Sequence, residues 1–263
     1  MPRKTKIGHT GTLDPLASGL LVLLIGRATR LSRYITGLDK SYTATARLGA
    51  VSDTLDADGN VTLLPDSSLP EEPAMRAATR RFTGRFLQTP PMASAVKVGG
   101  ERLYKLYRRG EEVERQSRFV SVHSFELLSY DAQTAAFAVS CGSGTYVRTL
   151  IADLAESLHT GAYLTALRRT SVGHLTIEKA VESEELSPEI LVQRIIPMRE
   201  IVGFLPLVEL SARERSGVCN GRKLGAFGLC GSYRVEQGGE LLAVYRDLGE
   251  QARPEVVLCA GVS

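Results

Sequence analysis

The chain has 263 residues, 43% hydrophobic and 23% charged, which suits one large soluble domain, or a large one with a small companion, at about 150 residues per domain. Its longest apolar run, Leu20–Ile25, is far short of a membrane span, and the basic start Met1–Lys6 leads into Gly and Thr rather than an apolar signal core, so membrane insertion and secretion are not expected. The net charge of +3 is unevenly spread: residues 1–40 hold seven Lys/Arg against two Asp/Glu, and residues 76–118 hold eleven against four, a localised footprint for a polyanion unless each block is only a solvated face.

In chain order, residues 7–19 are dense in Gly, Thr, Asp, Pro and Ser and read as a constrained loop. The run LLVLLIG reads as a strand buried on both faces, followed by a short helix around Ala28–Thr36 and an alternating strand in SYTATARLGA. SDTLDADGN is a turn-rich loop. Met75, Ala78 and Phe82 recur at helical spacing between Glu71 and Phe86, with Gly84 as a stop. Residues 91–113 read as an insertion: a tight hairpin at Val96–Gly100, then the amphipathic helix RLYKLYRRG ended by Gly110. FVSVHSFELLSYD and TAAFAVSC alternate and are expected to pair antiparallel. Thr149–Leu158 reads as a helix and Ala162–Arg169 as a second one.

An acidic stretch, residues 178–204, is broken at Pro188 and Pro197 and marks a boundary. From Leu205 onward, short strands with turns at Asn220-Gly221 and Gly238-Gly239 predict a small all-β module. The expected division is therefore 1–204, a mixed domain rich in antiparallel strands, and 205–263, a compact β domain. Cys141, Cys219, Cys230 and Cys259 lack C-x-x-C pairing and any His at metal-ligand spacing. They read as reduced, structural thiols of a cytoplasmic protein, with neither a metal site nor a disulfide frame.

Asp14 is the sharpest candidate for chemistry. It closes the segment Gly8-His9-Thr10-Gly11-Thr12-Leu13-Asp14-Pro15-Leu16, in which two glycines permit unusual backbone angles and close approach of a ligand. The bland alternative is a helix-turn cap with Pro15 at the first position. That leaves His9, the glycines and the threonines unexplained, and both readings can hold together.

The stretch KIGHTGTLDPLASGLLVLLIGRATRL resembles the catalytic signature of the bacterial tRNA pseudouridine-55 synthases, the TruB family of pseudouridine synthases. Three more segments follow in the family's order. Lys40-Ser41-Tyr42 is similar to its K-x-Y, Gly144-Thr145-Tyr146-Val147-Arg148-Thr149 to its G-T-Y-I-R-T, and Ala166-Leu167-Arg168-Arg169-Thr170 to its L-R-R segment. The likeness runs from Ile7 to about Thr176 and is diffuse beyond.

The resemblance implies an α+β fold, the pseudouridine synthase fold, in which helices flank a mixed, largely antiparallel sheet. Residues 91–113 correspond to a thumb-like RNA-gripping insertion and residues 205–263 to a small all-β PUA-like domain. It implies isomerisation of uridine-55 in the T stem-loop of tRNA, without cofactor or metal, by a protein expected to act as a monomer.

Carried over by residue, Asp14 is the catalytic carboxylate, Arg148 its ionic partner, and Tyr42 a residue that stacks on the base and can act as acid or base. His9 fills the space left by a flipped base, and Leu167 walls the pocket. Tyr104, Lys105 and Arg108 on the insertion offer stacking and phosphate contacts, beside Tyr107 and Arg109. Read without the family, Tyr42 is a core tyrosine, Arg148 a surface arginine, His9 an ordinary polar loop residue, and the insertion an exposed amphipathic helix. Family members carry a strand and a K-P-x-G-x-T-S segment ahead of the signature. This chain starts at Met1-Pro2-Arg3, so either it is shortened or its start is assigned too late; a missing strand would open a sheet edge and remove one wall of the pocket. A non-catalytic RNA-binding or tRNA-folding protein is the alternative from another class. An Asp-dependent hydrolase lacks a second carboxylate at suitable spacing.

Overall fold

Alternation builds the main sheet. In the strand Thr134–Cys141, every second residue (Ala135, Phe137, Val139 and Cys141) is buried, the period a strand with one packed face requires. The computed structural model describes residues 5–259; the expectation drawn from Met1-Pro2-Arg3 lies outside them. The described chain divides into two compact units, residues 12–21 with 37–180, and residues 5–11 with 22–36 and 181–259.

The larger unit holds a seven-stranded sheet. Its strands are β1 (Ala17–Gly19), β2 (Lys40–Leu48), β3 (Gly84–Gln88), β4 (Arg118–Tyr130), β5 (Thr134–Cys141), β6 (Ala162–Val172) and β7 (Leu175–Thr176). Six are antiparallel neighbours in the order β7-β6-β2-β5-β4-β3, and β1 pairs in parallel with β6. Two helices, α1 (Glu72–Arg81) and α3 (Val147–Glu156), share the sheet's core, while α2 (Leu103–Arg108) belongs to the insertion. Helix α3 contributes Val147, Leu150, Ile151 and Leu154, the spacing of one helical face, and all four are buried. They pack with Met75, Ala78, Phe125 and Phe137, and truncating one such side chain to Ala costs about 2–5 kcal/mol.

The insertion carries its own small core of Met92, Leu103 and Leu106, supported by Val96, Val98, Tyr107 and Val113. Gly99-Gly100 turn its hairpin as the sequence predicts, and Gly110 follows α2 at φ +72°.

The other unit contains the strand pair Ile7–His9 and Leu23–Ile25 and a five-stranded sheet. That sheet consists of β8 (Leu207–Glu209), β9 (Leu224–Gly225), β10 (Ser232–Gln237), β11 (Glu240–Leu248) and β12 (Gln251–Val257), in the order β8-β10-β11-β12-β9. Tyr233 and Tyr245 are fully buried, and each hydroxyl has an acceptor: Asp247 Oδ1 at 2.6 Å and the Arg222 carbonyl at 2.7 Å.

Four local expectations need correcting. Ala162–Arg169 is strand, part of β6. Its pairing with β2 slips between Leu164 and Ala166 and again between Arg169 and Ser171, so bulges break the period of two and mimic helical spacing. The run Leu20–Ile25 is not buried on both faces, because Leu21 and Leu23 are 43% and 48% exposed. The turn at Asn220-Gly221 is present but follows a short helix, α4 (Arg215–Cys219), rather than a strand. Cys219 and Cys259 are disulfide-bonded, so these two are not free thiols; a separation of 40 residues hides a pairing that needs only a Cα–Cα distance of 5.4 Å. Cys141 and Cys230 are free.

Candidate active site

Residues 12–21 reach the sheet through β1, where Ala17 pairs with Leu167 and Gly19 with Arg169. The close approach demands glycine at 19: φ is +96°, and a Cβ there would lie 2.3 Å from the Arg169 carbonyl oxygen. Just before β1, the Ala17 N–H donates to the Asp14 carbonyl at 2.8 Å. Asp14 thus opens a turn into a strand, not the helix that Pro15 suggested.

Opposite stands Arg148, in the first turn of α3 and only 2% exposed. Its Nε donates to Asp14 Oδ2 at 2.9 Å. The remaining donors are also engaged: Nη1 reaches the Thr54 carbonyl at 2.7 Å and Asp56 Oδ2 at 3.1 Å, and Nη2 reaches the Ala93 carbonyl at 2.8 Å. A guanidinium gripped from four directions presents a fixed fork to Asp14.

Asp56 is the residue that sequence reasoning missed. It sits in the loop SDTLDADGN, buried, with Oδ1 accepting from the Thr54 hydroxyl at 2.6 Å and the Asp58 N–H at 3.1 Å. Gly59 lets this loop close on itself, since a Cβ there would lie 2.2 Å from Thr54 Oγ1. A loop rich in Asp, Thr and Gly has the composition of an exposed turn, and nothing local distinguishes Asp56 from Asp53 or Asp58. A second carboxylate therefore shares the arginine.

Burial pushes the Asp14 carboxyl above its ordinary value of 3.8. Arg148 pulls it back by charge and hydrogen bond, while Asp56 and Asp58 push it further up. Beside it lies a cavity of about 110 Å³ lined by Thr12, Leu13, Asp14, Ala17, Tyr42, Thr145, Tyr146, Val147, Leu167 and Arg169. Tyr42, on β2, faces Arg169 across the β2–β6 ladder and accepts a hydrogen bond from it. Burial still pushes the Tyr42 phenol up to about 12, so it is neutral at physiological pH. Arg169 is itself 3% exposed and donates through Nε to the Leu20 carbonyl at 2.7 Å. Its place in the L-R-R segment was visible in sequence, but not its contact with Tyr42.

Of the predicted residues, Asp14, Tyr42 and Leu167 therefore converge on one cavity, with Arg148 directly behind Asp14. Tyr104, Lys105 and Arg108 lie together on α2, with the Arg108 guanidinium 5.5 Å from the Tyr104 ring centre and Lys105 exposed. They are not among the cavity's lining residues. His9 belongs to the smaller unit, exposed at the end of the strand Ile7–His9. Gly11 takes φ +144°, but Gly8 needs no positive φ.

The fold is that of the pseudouridine synthases. A chain in an H/ACA ribonucleoprotein bound to a substrate RNA containing 2'-deoxyuridine superposes with a TM-score of 0.73 at 21% identity, covering 97% of this chain and 76% of that one. A chain in a Cbf5-Nop10-Gar1 complex gives 0.72 at 23% identity, covering 97% and 77%. Sequence carries the relationship further. The model of the TruB family pseudouridylate synthase N-terminal domain matches residues 1–147, and that of the tRNA pseudouridylate synthase B C-terminal domain matches residues 148–202.

Proteins named tRNA pseudouridine synthase B are similar over most of the chain. That of Burkholderia mallei (strain NCTC 10247) is 43% identical over 239 residues, 90% of this chain and 79% of the relative. That of Arthrobacter sp. (strain FB24) is 39% identical over 269 residues, covering 96% and 87%. The chain belongs to the TruB family of pseudouridylate synthases and is an enzyme of the isomerase class. Among the described residues, no helix is long and apolar enough to cross a membrane.

Proposed function

We propose that this chain isomerises uridine to pseudouridine in tRNA, at position 55 of the T loop, with Asp14 as the essential carboxylate. The observation that carries the reading is the Asp14–Arg148 ion pair set at a cavity with aromatic walls, Tyr42 and Tyr146, and aliphatic ones, Leu13, Val147 and Leu167. Such walls take a flat heterocycle by stacking and apolar contact. The names of the relatives support tRNA as the substrate.

The reaction breaks the bond between the sugar and the base nitrogen, turns the base, and joins the sugar to a base carbon, whose proton passes to solvent while the freed nitrogen takes one up. Atoms and electrons balance without a co-reactant. Asp14 acts ionised, attacking the substrate or removing a sugar proton, and Arg148 holds it in that state and direction. Burial keeps the carboxylate basic, which favours either route. Tyr42, held neutral, stacks on the base and offers it a hydroxyl for hydrogen bonding. A base within a folded loop reaches this cavity only when flipped out, and His9 takes the space it leaves. Tyr104, Lys105 and Arg108 grip the RNA from the insertion, residues 205–263 act as a PUA-like RNA-binding domain and residues 1–204 as the catalytic domain, and the protein works as a cytoplasmic monomer.

The test is a modification assay with unmodified tRNA, mapping pseudouridine by chemical labelling and primer extension for the native chain and Asp14→Asn. Product at position 55 from the native chain alone is expected, with tRNA binding retained by the variant. Turnover by Asp14→Asn removes Asp14 from the mechanism, and bound tRNA without product from the native chain makes the protein a binder instead.

A further inference from the structure

Gln88 is the last residue of β3 and is 2% exposed, out of reach of any substrate. Its side-chain amide is spent on a single residue. Oε1 accepts from the Tyr146 N–H at 2.8 Å, and Nε2 donates to the Tyr146 carbonyl at 3.1 Å. This double clamp falls at the junction between a turn and a helix. Tyr146 follows the glycine-rich turn Gly142-Ser143-Gly144 and is the N-cap of α3, with no side-chain cap of its own. Its carbonyl also accepts the first helical bond, from Leu150 N–H at 3.0 Å.

The first residues of α3 are the ones the chemistry uses. Val147 lines the cavity with Tyr146, and Arg148 reaches Asp14 at 2.9 Å. A shift or rotation at the helix start moves the guanidinium directly. Five residues after Gln88, the Ala93 carbonyl accepts from Arg148 Nη2, so the chain leaving β3 meets the same guanidinium.

We infer that Gln88 is a positioning residue for the reaction, fixing the start of α3 through the backbone of Tyr146 so that Arg148 meets Asp14 in productive geometry. This rests on the isomerase reading of the site. Removing the amide leaves two partly buried backbone groups without this partner and lets the helix start drift, and a displacement of about 1 Å at a catalytic group can cost about a hundredfold in rate. Because Gln88 is buried and is not among the residues lining the cavity, the loss falls on kcat and spares tRNA affinity.

The experiment compares the native chain, Gln88→Leu and Gln88→Glu in pseudouridine formation on tRNA, with kcat and KM separated and far-UV circular dichroism checking the fold. Gln88→Leu is expected to lower kcat by at least about tenfold with KM changed by less than about threefold. Gln88→Glu gives a second, independent readout. Its protonated carboxyl reproduces the amide, accepting from the Tyr146 N–H and donating to the Tyr146 carbonyl, whereas its ionised form opposes that carbonyl. Its activity relative to the native chain at the same pH should therefore rise as pH falls. An active native chain with Gln88→Leu within twofold of its kcat, or a flat relative pH profile for Gln88→Glu, overturns the inference. An inactive native chain overturns the functional reading itself and is told apart by that fact.

Discussion

Replacing Arg148 with Met removes the one cation common to Asp14 and Asp56 while keeping an unbranched side chain of similar reach. The guanidinium is 3% exposed, the Asp56 side chain 4% and the Asp14 side chain 32%. Breaking a fully buried pair by deleting one partner costs about 3–5 kcal/mol. Water reaches Asp14 and offsets part of its loss, so the structure places the cost near the lower end, about 3 kcal/mol. For a chain of this size that lowers Tm by about 6–12 °C.

The pH dependence makes the reasoning sharper. Asp14 already has its folded-state pKa raised above 3.8 by burial, against the pull of Arg148. A carboxyl raised on folding favours the folded state most below its unfolded value, and that contribution is lost as pH climbs through the folded-state value. Without Arg148 the two lowering influences vanish, the folded-state value rises further, and the ionised carboxylate is penalised over a wider range. The Tm difference between native and Arg148→Met protein should accordingly shrink as pH is taken from about 8 to about 5. Thermal melts by circular dichroism across that range provide the measurement. A gap that stays constant with pH, or one below about 2 °C at neutral pH, refutes the account of Arg148 as the shared counter-ion.

Gly19→Ala forces a Cβ to within 2.3 Å of the Arg169 carbonyl at a φ of +96°; it should cost at least about 2 kcal/mol in urea unfolding, and an unchanged midpoint argues that β1 does not pack as described. The Cys219–Cys259 disulfide closes 40 residues of chain, worth about 4 kcal/mol by loop entropy. Cys219→Ser and reductant should lower the melting of the 205–263 module equally, and no change with either would remove the bond from the folded protein. The double variant Lys105→Ala, Arg108→Ala should weaken tRNA binding and reduce the slope of log affinity against log salt by about one per residue; an unaltered slope takes both residues off the phosphate backbone.

Much of the site was legible because its chemistry is clustered along the chain. The Gly8–Leu16 segment puts Asp14 in a dense run of glycines and hydroxyls, and Tyr42 and Arg148 follow in short segments whose order matches the family's. The antiparallel sheet was legible too, since β5 and much of β2 bury one face and leave the other only partly covered, writing their period into the sequence. So was the helical stripe through Leu150, Ile151 and Leu154.

Other features came from pairing across long separations, which local pattern does not encode. The bulges in β6 arise from its register against β2, and they made a strand look like a helix. Asp56 is one of three similar aspartates until Arg148, 92 positions later in the numbering, turns towards it. Gln88 is an unremarkable strand residue until its amide meets the Tyr146 backbone, and Cys219 finds Cys259 only when the β domain closes. Sequence by itself pointed to the groups proposed for the chemistry, because these carry their own reactivity. The tertiary structure decided which groups hold them in place, because a buried hydrogen bond or ion pair is defined by its partner and by the water excluded around it.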